Sequence, residues 1–138
     1  MARWAARKSD LYPKDDIGQL VVDEALEAAN EMVSKCPFTE SDPAVKKSKR
    51  EEWANKVVPP YMNLFTKRIE KSGGPFLLGK SISIADLFIY SQLQMVYSGL
   101  LDHVDKDIIE KNFPTVHKLY VAVHEHPIAK AEMEAYAH

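Results

Sequence analysis

The chain has 138 residues, enough for one domain with a real core, because a fold of this size hides roughly 70% of the surface its unfolded chain exposes. Hydrophobic residues make up 46% and charged residues 28%, and 18 basic side chains stand against 20 acidic ones for a formal net charge of −2. That balance excludes an intrinsically disordered chain, and it leaves no general field to draw the molecule onto nucleic acid or an anionic membrane. Cys36 is the sole cysteine, so neither an intramolecular disulfide nor a Cys-based zinc cage can form, and a cytoplasmic location is expected. No apolar stretch reaches the roughly 18 residues that span a bilayer, and the basic start over residues 1–10 lacks the apolar run of a signal peptide.

Residues 14–34 carry two interleaved apolar stripes, Ile17, Val21, Ala25, Ala28, Met32 and Val22, Leu26, Ala29, Val33, at the three- and four-residue steps of a helix. Two stripes make an apolar arc wider than one core contact requires, so one face is assigned to the core and another to a second subunit. Pro37 and the cluster Thr39, Glu40, Ser41, Asp42, Pro43 form a loop, after which residues 44–71 become helical again. Pro59 and Pro60 interrupt this helix and predict a kink near Val58, since a proline removes a backbone donor and presses on the preceding turn. Ser72, Gly73, Gly74 and Pro75 stop it. Residues 84–98 are apolar nearly all round, which places that helix in the middle of the domain. Helices follow over 114–125, with Val116, Leu119, Tyr120 and Val123 inward, and over 127–136, which begins with a proline. The fold class is therefore all-α, a bundle of about five helices.

Two constellations read as ordinary surface. Lys46, Lys47, Lys49 and Arg50 run directly into Glu51 and Glu52, the pattern of a solvated, salt-bridged helix face rather than a nucleic-acid site. No pair among His117, His124 and His126 stands four apart on one helix face, so no metal site is expected.

The most informative string is Gly79 to Asp86, at the start of the central helix. Ser83 is placed to accept from the amide three residues on, the Asp86 carboxylate to reach back to the Ser83 amide, and Ile82 and Leu87 to form a hydrophobic staple. Gly-x-x-Ile-Ser-x-Ala-Asp, preceded by Phe76, Leu77 and Leu78 and opening a wholly apolar helix, resembles the capping motif of the core helix in glutathione S-transferase C-terminal domains, of a sigma-like or related cytosolic class. Leu11 to Asp15 resembles the family's link between domains, and Phe113-Pro114 and His126-Pro127-Ile128 resemble the starts of its last helices.

The resemblance implies that residues 1–12 are the end of a thioredoxin-like domain plus linker, and that 13–138 form the helical domain. It implies that the glutathione-binding domain, with its catalytic hydroxyl, lies before Met1, so that this chain alone binds no cofactor and is inactive. It implies a homodimer, with glutathione as co-substrate and a small electrophile as substrate of the full-length form. Glu31 falls about where an acid reaches the glutathione amino group of the opposite subunit, a solvated carboxylate being the other reading, while Asp23, Glu24 and Glu27 are weaker candidates for a polar interface. Met32, Cys36 and Phe38 are the candidates for the electrophile pocket, with core or loop packing as the alternative for each. Domains resembling this one also serve docking in translation elongation factor and aminoacyl-tRNA synthetase assemblies, and a non-catalytic interaction module is the alternative function.

Overall fold

Helical periodicity becomes helix along the chain in a computed structural model that describes residues 2–137. The order is α1 (Ala2–Arg7), α2 (Asp16–Ser34), α3 (Pro43–Glu52), a π-helical turn (Trp53–Val57), α4 (Val58–Ser72), α5 (Ile84–Tyr97), α6 (Ile108–Asn112), α7 (Pro114–Glu125) and α8 (Pro127–Tyr136). Five long runs, α2, α3 through α4, α5, α7 and α8, are accompanied by the short α1 ahead of α2 and the short α6 between α5 and α7. Among the described residues there is no strand, only isolated bridges Phe76–Gly79 and Leu78–Ser81 in the turn before α5.

Side chains punctuate the helices at the free amides of their first turns. Asp15 accepts from the Gly18 amide at 2.8 Å, and Asp42 from the Ala44 and Val45 amides, each at 3.0 Å. α4 ends at Gly73, whose φ of 86° lies in the left-handed region that a side chain would strain. Between α3 and α4 the proline pair takes effect without a break in the helix. Pro59 and Pro60 offer no N–H to the turn before them, and the ladder widens there, the Val58 amide reaching Trp53 O five residues back. The irregularity predicted near Val58 is thus a π turn that precedes the prolines. It carries the buried Trp53, whose indole Nε1 donates to Met32 O at 2.9 Å and pins the run to α2.

α5 lies at the centre, packed against α2 and α7. Ala85, Ile89, Leu93 and Val96 of α5 share a core with Met62, Phe65 and Ile69 of α4 and Val116, Leu119 and Val123 of α7. The α2 seam draws on both sequence stripes: Val22, Ala25, Leu26, Ala29 and Met32 are buried, whereas Ile17 is 72% exposed and Leu20 also faces outward. A single neighbouring surface covers only one arc of a helix, and the buried residues are the ones on that arc. Ala25 and Ala29 carry only a methyl group, which does little to hold α5 away, so the helices can approach closely.

The start of α5 is sealed. Ser83 and Asp86 form a reciprocal capping pair, and Asp86 is fully buried. Its Oδ2 accepts from the Ser83 amide and hydroxyl, both at 2.8 Å, and its Oδ1 accepts from the Leu77 amide at 2.9 Å. The Ile84 amide donates to Leu11 O at 2.8 Å, which moors the linker on the same helix start. Ile82 is buried and Leu87 half-buried at the two staple positions.

Removing either partner strands buried donors. Ser83→Ala should cost about 1–2 kcal/mol, and Asp86→Ala more, because it leaves the Leu77 and Ser83 amides unpaired at about 1–3 kcal/mol each. Urea melts that find both changes neutral would contradict this account of the helix start. Burial pushes the Asp86 carboxyl above its ordinary value, against the downward pull of its hydrogen bonds from Leu77 and Ser83. An acid whose folded pKa exceeds its unfolded one holds its proton to higher pH when folded. Its contribution is therefore present below the ordinary aspartate range and lost as pH rises through the folded value. Melts at a series of pH values should show wild-type stability, relative to Asp86→Asn, declining as pH rises above about 4; a rise instead would overturn the assignment.

Candidate functional site

The four residues singled out for glutathione and the electrophile cluster where α2 runs out. Glu31 occupies the last turns of α2, exposed, with its carboxylate 2.7 Å from Lys35 Nζ. Lys35 Nζ also donates to the Tyr61 hydroxyl of α4 at 2.8 Å and lies over that ring, 5.5 Å from its centroid. The hydrogen bond from Lys35 holds the Glu31 carboxyl below its ordinary value and keeps it a carboxylate. Because the pair is exposed, solvent screens it and its effect on stability is small. What the arrangement supplies is a carboxylate of fixed direction, held by a cation that is itself steadied by Tyr61.

Met32 and Cys36 are both buried, at 2% and 6% exposure, whereas Phe38 presents 45% of its surface to solvent. Met32 lies under the Trp53 indole through its backbone oxygen. Cys36 lies in the turn just past α2, where burial pushes its thiol up to about 11 despite the opposing charge of Arg50. It is a packing residue with little thiolate at neutral pH. The three therefore differ in access, Phe38 presenting its ring to solvent while Met32 and Cys36 lie in the core.

Arg50 corrects one sequence expectation. It was grouped with Lys46, Lys47 and Lys49 as part of a solvated face, yet it is buried at 6% exposure. Its Nη1 donates to Asp102 O at 3.3 Å and its Nε to Pro37 O at 3.5 Å, so it ties the loop after α2 to the loop after α5. The planar guanidinium satisfies carbonyls from two loops at once, which a lysine cannot do with the same geometry. Sequence spacing held no sign of this, because the loop that receives Arg50 lies 52 residues further on. Lys49 behaves as expected, paired with Glu40 at 2.7 Å.

The three weaker candidates on α2 are engaged with other side chains of the same chain. Asp23 is 3.0 Å from Arg3 Nε and accepts from the Tyr12 hydroxyl at 3.1 Å, Glu27 pairs with Arg3, and Glu24 pairs with Arg68 of α4 at 2.6 Å. A groove of about 660 Å³, lined in part by Tyr12, Ile17, Val21, Arg68 and Leu77, lies at the opposite end of α2. With 1.5 Å rise per residue, its Ile17 is roughly 20 Å along the helix from Glu31.

An all-α bundle built around one capped, buried helix, with an acid and an apolar loop at the end of the first long helix, is the class that these features define. Residues 29–133 match the family described as Glutathione S-transferase, C-terminal domain, and the chain belongs to that family. It is 29% identical over 126 residues to Glutathione S-transferase A6 of Rattus norvegicus, a match that takes in 89% of this chain and 53% of the relative. Among solved structures it resembles prostaglandin synthase D of Nilaparvata lugens, with a TM-score of 0.82 and 29% identity over 96% of this chain and 64% of the other. It shares its fold with a Pi-class glutathione S-transferase of Onchocerca volvulus, with a TM-score of 0.74 and 20% identity over 97% of this chain and 62% of the other. The chain thus spans about half to two-thirds of the length of the proteins it matches.

The burial of Cys36 makes its reactivity a measure of the packing in the turn after α2. Alkylation of the native chain by iodoacetamide at neutral pH should be far slower than that of the denatured chain, with the rate climbing toward pH 11. Equal rates in the two states would show the thiol to be open.

Proposed function

We propose that this chain is the helical half of a glutathione transferase that joins glutathione to small electrophiles as a homodimer. A thioredoxin-like domain, of which residues 1–12 are the end, supplies the glutathione cradle and the catalytic hydroxyl; residues 13–138 supply part of the electrophile pocket and the subunit interface. The family match over residues 29–133 carries this reading. The reaction needs a thiolate nucleophile, and stabilising that anion is the work of the other domain.

Within this half, Glu31 is assigned to the glutathione amino group of the opposite subunit, its carboxylate kept ionised and oriented by Lys35. Phe38 contributes an aromatic wall to the electrophile pocket, and Met32 and Cys36 back it from the core. The outward arc of α2, with Ile17 and Leu20 exposed and Glu24 beside Arg68, supports the second-subunit face expected from its two stripes.

The test joins this chain behind the thioredoxin-like domain of a related transferase and assays the product with glutathione and an aryl halide. Turnover is expected from the joined protein and none above background from the helical chain alone. Glu31→Ala in the joined protein should raise the KM for glutathione about three- to ten-fold, the scale of losing one partly exposed charge-assisted hydrogen bond, with little change in kcat. A folded, dimeric joined protein that neither binds glutathione nor turns over would refute the reading in favour of a docking module.

A further inference from the structure

The seam between α5 and α7 holds a cluster that the glutathione reading leaves unused. Tyr90, Gln94 and Tyr97 stand on one face of α5, and His117, Tyr120 and His124 answer them from α7. The Tyr120 ring lies between the other two tyrosines, its centroid 4.9 Å from Tyr90 and 4.4 Å from Tyr97. Each outer phenol meets an imidazole: Tyr97 Oη is 2.6 Å from His117 Nδ1, and Tyr90 Oη is 2.8 Å from His124 Nδ1. Gln94 Nε2 donates to Tyr90 Oη at 2.9 Å, so that phenol's own hydrogen is left for His124 Nδ1 at 2.8 Å or, at longer range, for Met133 Sδ at 4.0 Å. Core packing alone calls for apolar side chains here; three rings in contact with two matched bases form a more particular arrangement.

We propose that Tyr90, Tyr120 and Tyr97 form a redox relay that accepts one-electron oxidation from small diffusible radicals, with His117 and His124 as the proton acceptors. An oxidant takes one electron from the phenol and is reduced to its anion. In the same step the phenol O–H bond breaks and the proton forms a bond to imidazole Nδ1. The products are a neutral tyrosyl radical and an imidazolium. Burial pushes the Tyr97 phenol well up from its ordinary value, with the nearby Glu110 adding to the effect, and burial raises Tyr90 and Tyr120 as well. Loss of the proton before the electron is thereby suppressed, and transfer to the hydrogen-bonded base is the route left open.

The surroundings suit both halves of the step. Glu110 lies 4.0 Å from His117 Nε2 and faces the imidazolium as it forms. His124 is exposed and His117 half-buried, so both bases can pass the proton on to water, while Tyr90 is only 6% exposed. An oxidant that cannot reach Tyr90 directly takes an electron from the half-buried Tyr120 ring, and Tyr120 recovers it from the stacked Tyr90 as the Tyr90 proton passes to His124 Nδ1. Met133 Sδ, 4.0 Å from Tyr90 Oη, is the remaining contact of that phenol.

The experiment exposes the chain to azide radicals generated by pulse radiolysis with nitric oxide as the radical trap, small enough to follow a tyrosyl radical into the seam, and maps the adducts by peptide mass spectrometry. Adducts are expected to concentrate on Tyr90, Tyr97 and Tyr120 although Tyr136 is 83% exposed, and the tyrosyl signal should form more slowly in heavy water. His117→Phe combined with His124→Phe should lower relay adducts about ten-fold or more, a conservative share of the roughly hundred-fold or greater effect of a positioned base. Tyr120→Phe keeps both phenol–imidazole pairs and should remove the adduct on buried Tyr90 while sparing Tyr97. That variant and the isotope effect decide the matter if the double variant melts early. Adducts that follow exposure, falling on Trp4 and Tyr136 in place of the relay, or a relay yield unmoved by these changes, would overturn the proposal.

Discussion

A single buried carboxylate organises this domain. Asp86 has no contact with water, and both of its oxygens are committed, one to the start of its own helix and one to the turn before it. A helix can begin in the interior only where its first amides find acceptors, because unpaired donors there are costly. Asp86 meets that requirement and at the same time holds the loop of Leu77 against α5. Leu11 O, taking the Ile84 amide, adds the linker to the same point, so three segments distant in sequence converge on one helical turn.

From that turn the rest of the bundle follows. α5 can be buried along its length because its beginning is sealed, and α2 and α7 then have an apolar rod to pack on. Ala25 and Ala29 bring α2 close, and Trp53, carried on the π turn ahead of the proline pair, fastens the α3–α4 run to Met32. The last turn of α2, with Glu31, Lys35 and the Cys36–Phe38 turn, is therefore placed from three directions: by the core, by Trp53 and by the Arg50 clasp between loops. The Glu31 carboxylate on such a frame is held toward Lys35 without being buried itself.

Much of this was legible in order along the chain. Helix period, proline and glycine stops, and the Ser83–Asp86 spacing are all local, and local geometry determines them: side chains three and four apart share a helix face, and a carboxylate three residues past a serine reaches its amide. The family followed from the same local strings. Less legible were the features that depend on which surfaces meet. Arg50 looks like its neighbouring lysines until the loops bearing Pro37 and Asp102 are brought beside it.

The sequence by itself determined that this protein is a helical bundle around residues 84–97 and determined how that helix begins, because both rest on interactions within a few residues of one another. Tertiary structure alone decided which arc of α2 is buried, that Met32 and Cys36 lie inside while Phe38 faces out, and that Tyr90, Tyr97 and Tyr120 stack beside His117 and His124. Those outcomes turn on the relative rotation and approach of whole helices. Packing of side chains far apart in sequence sets that rotation, and no short-range pattern encodes it.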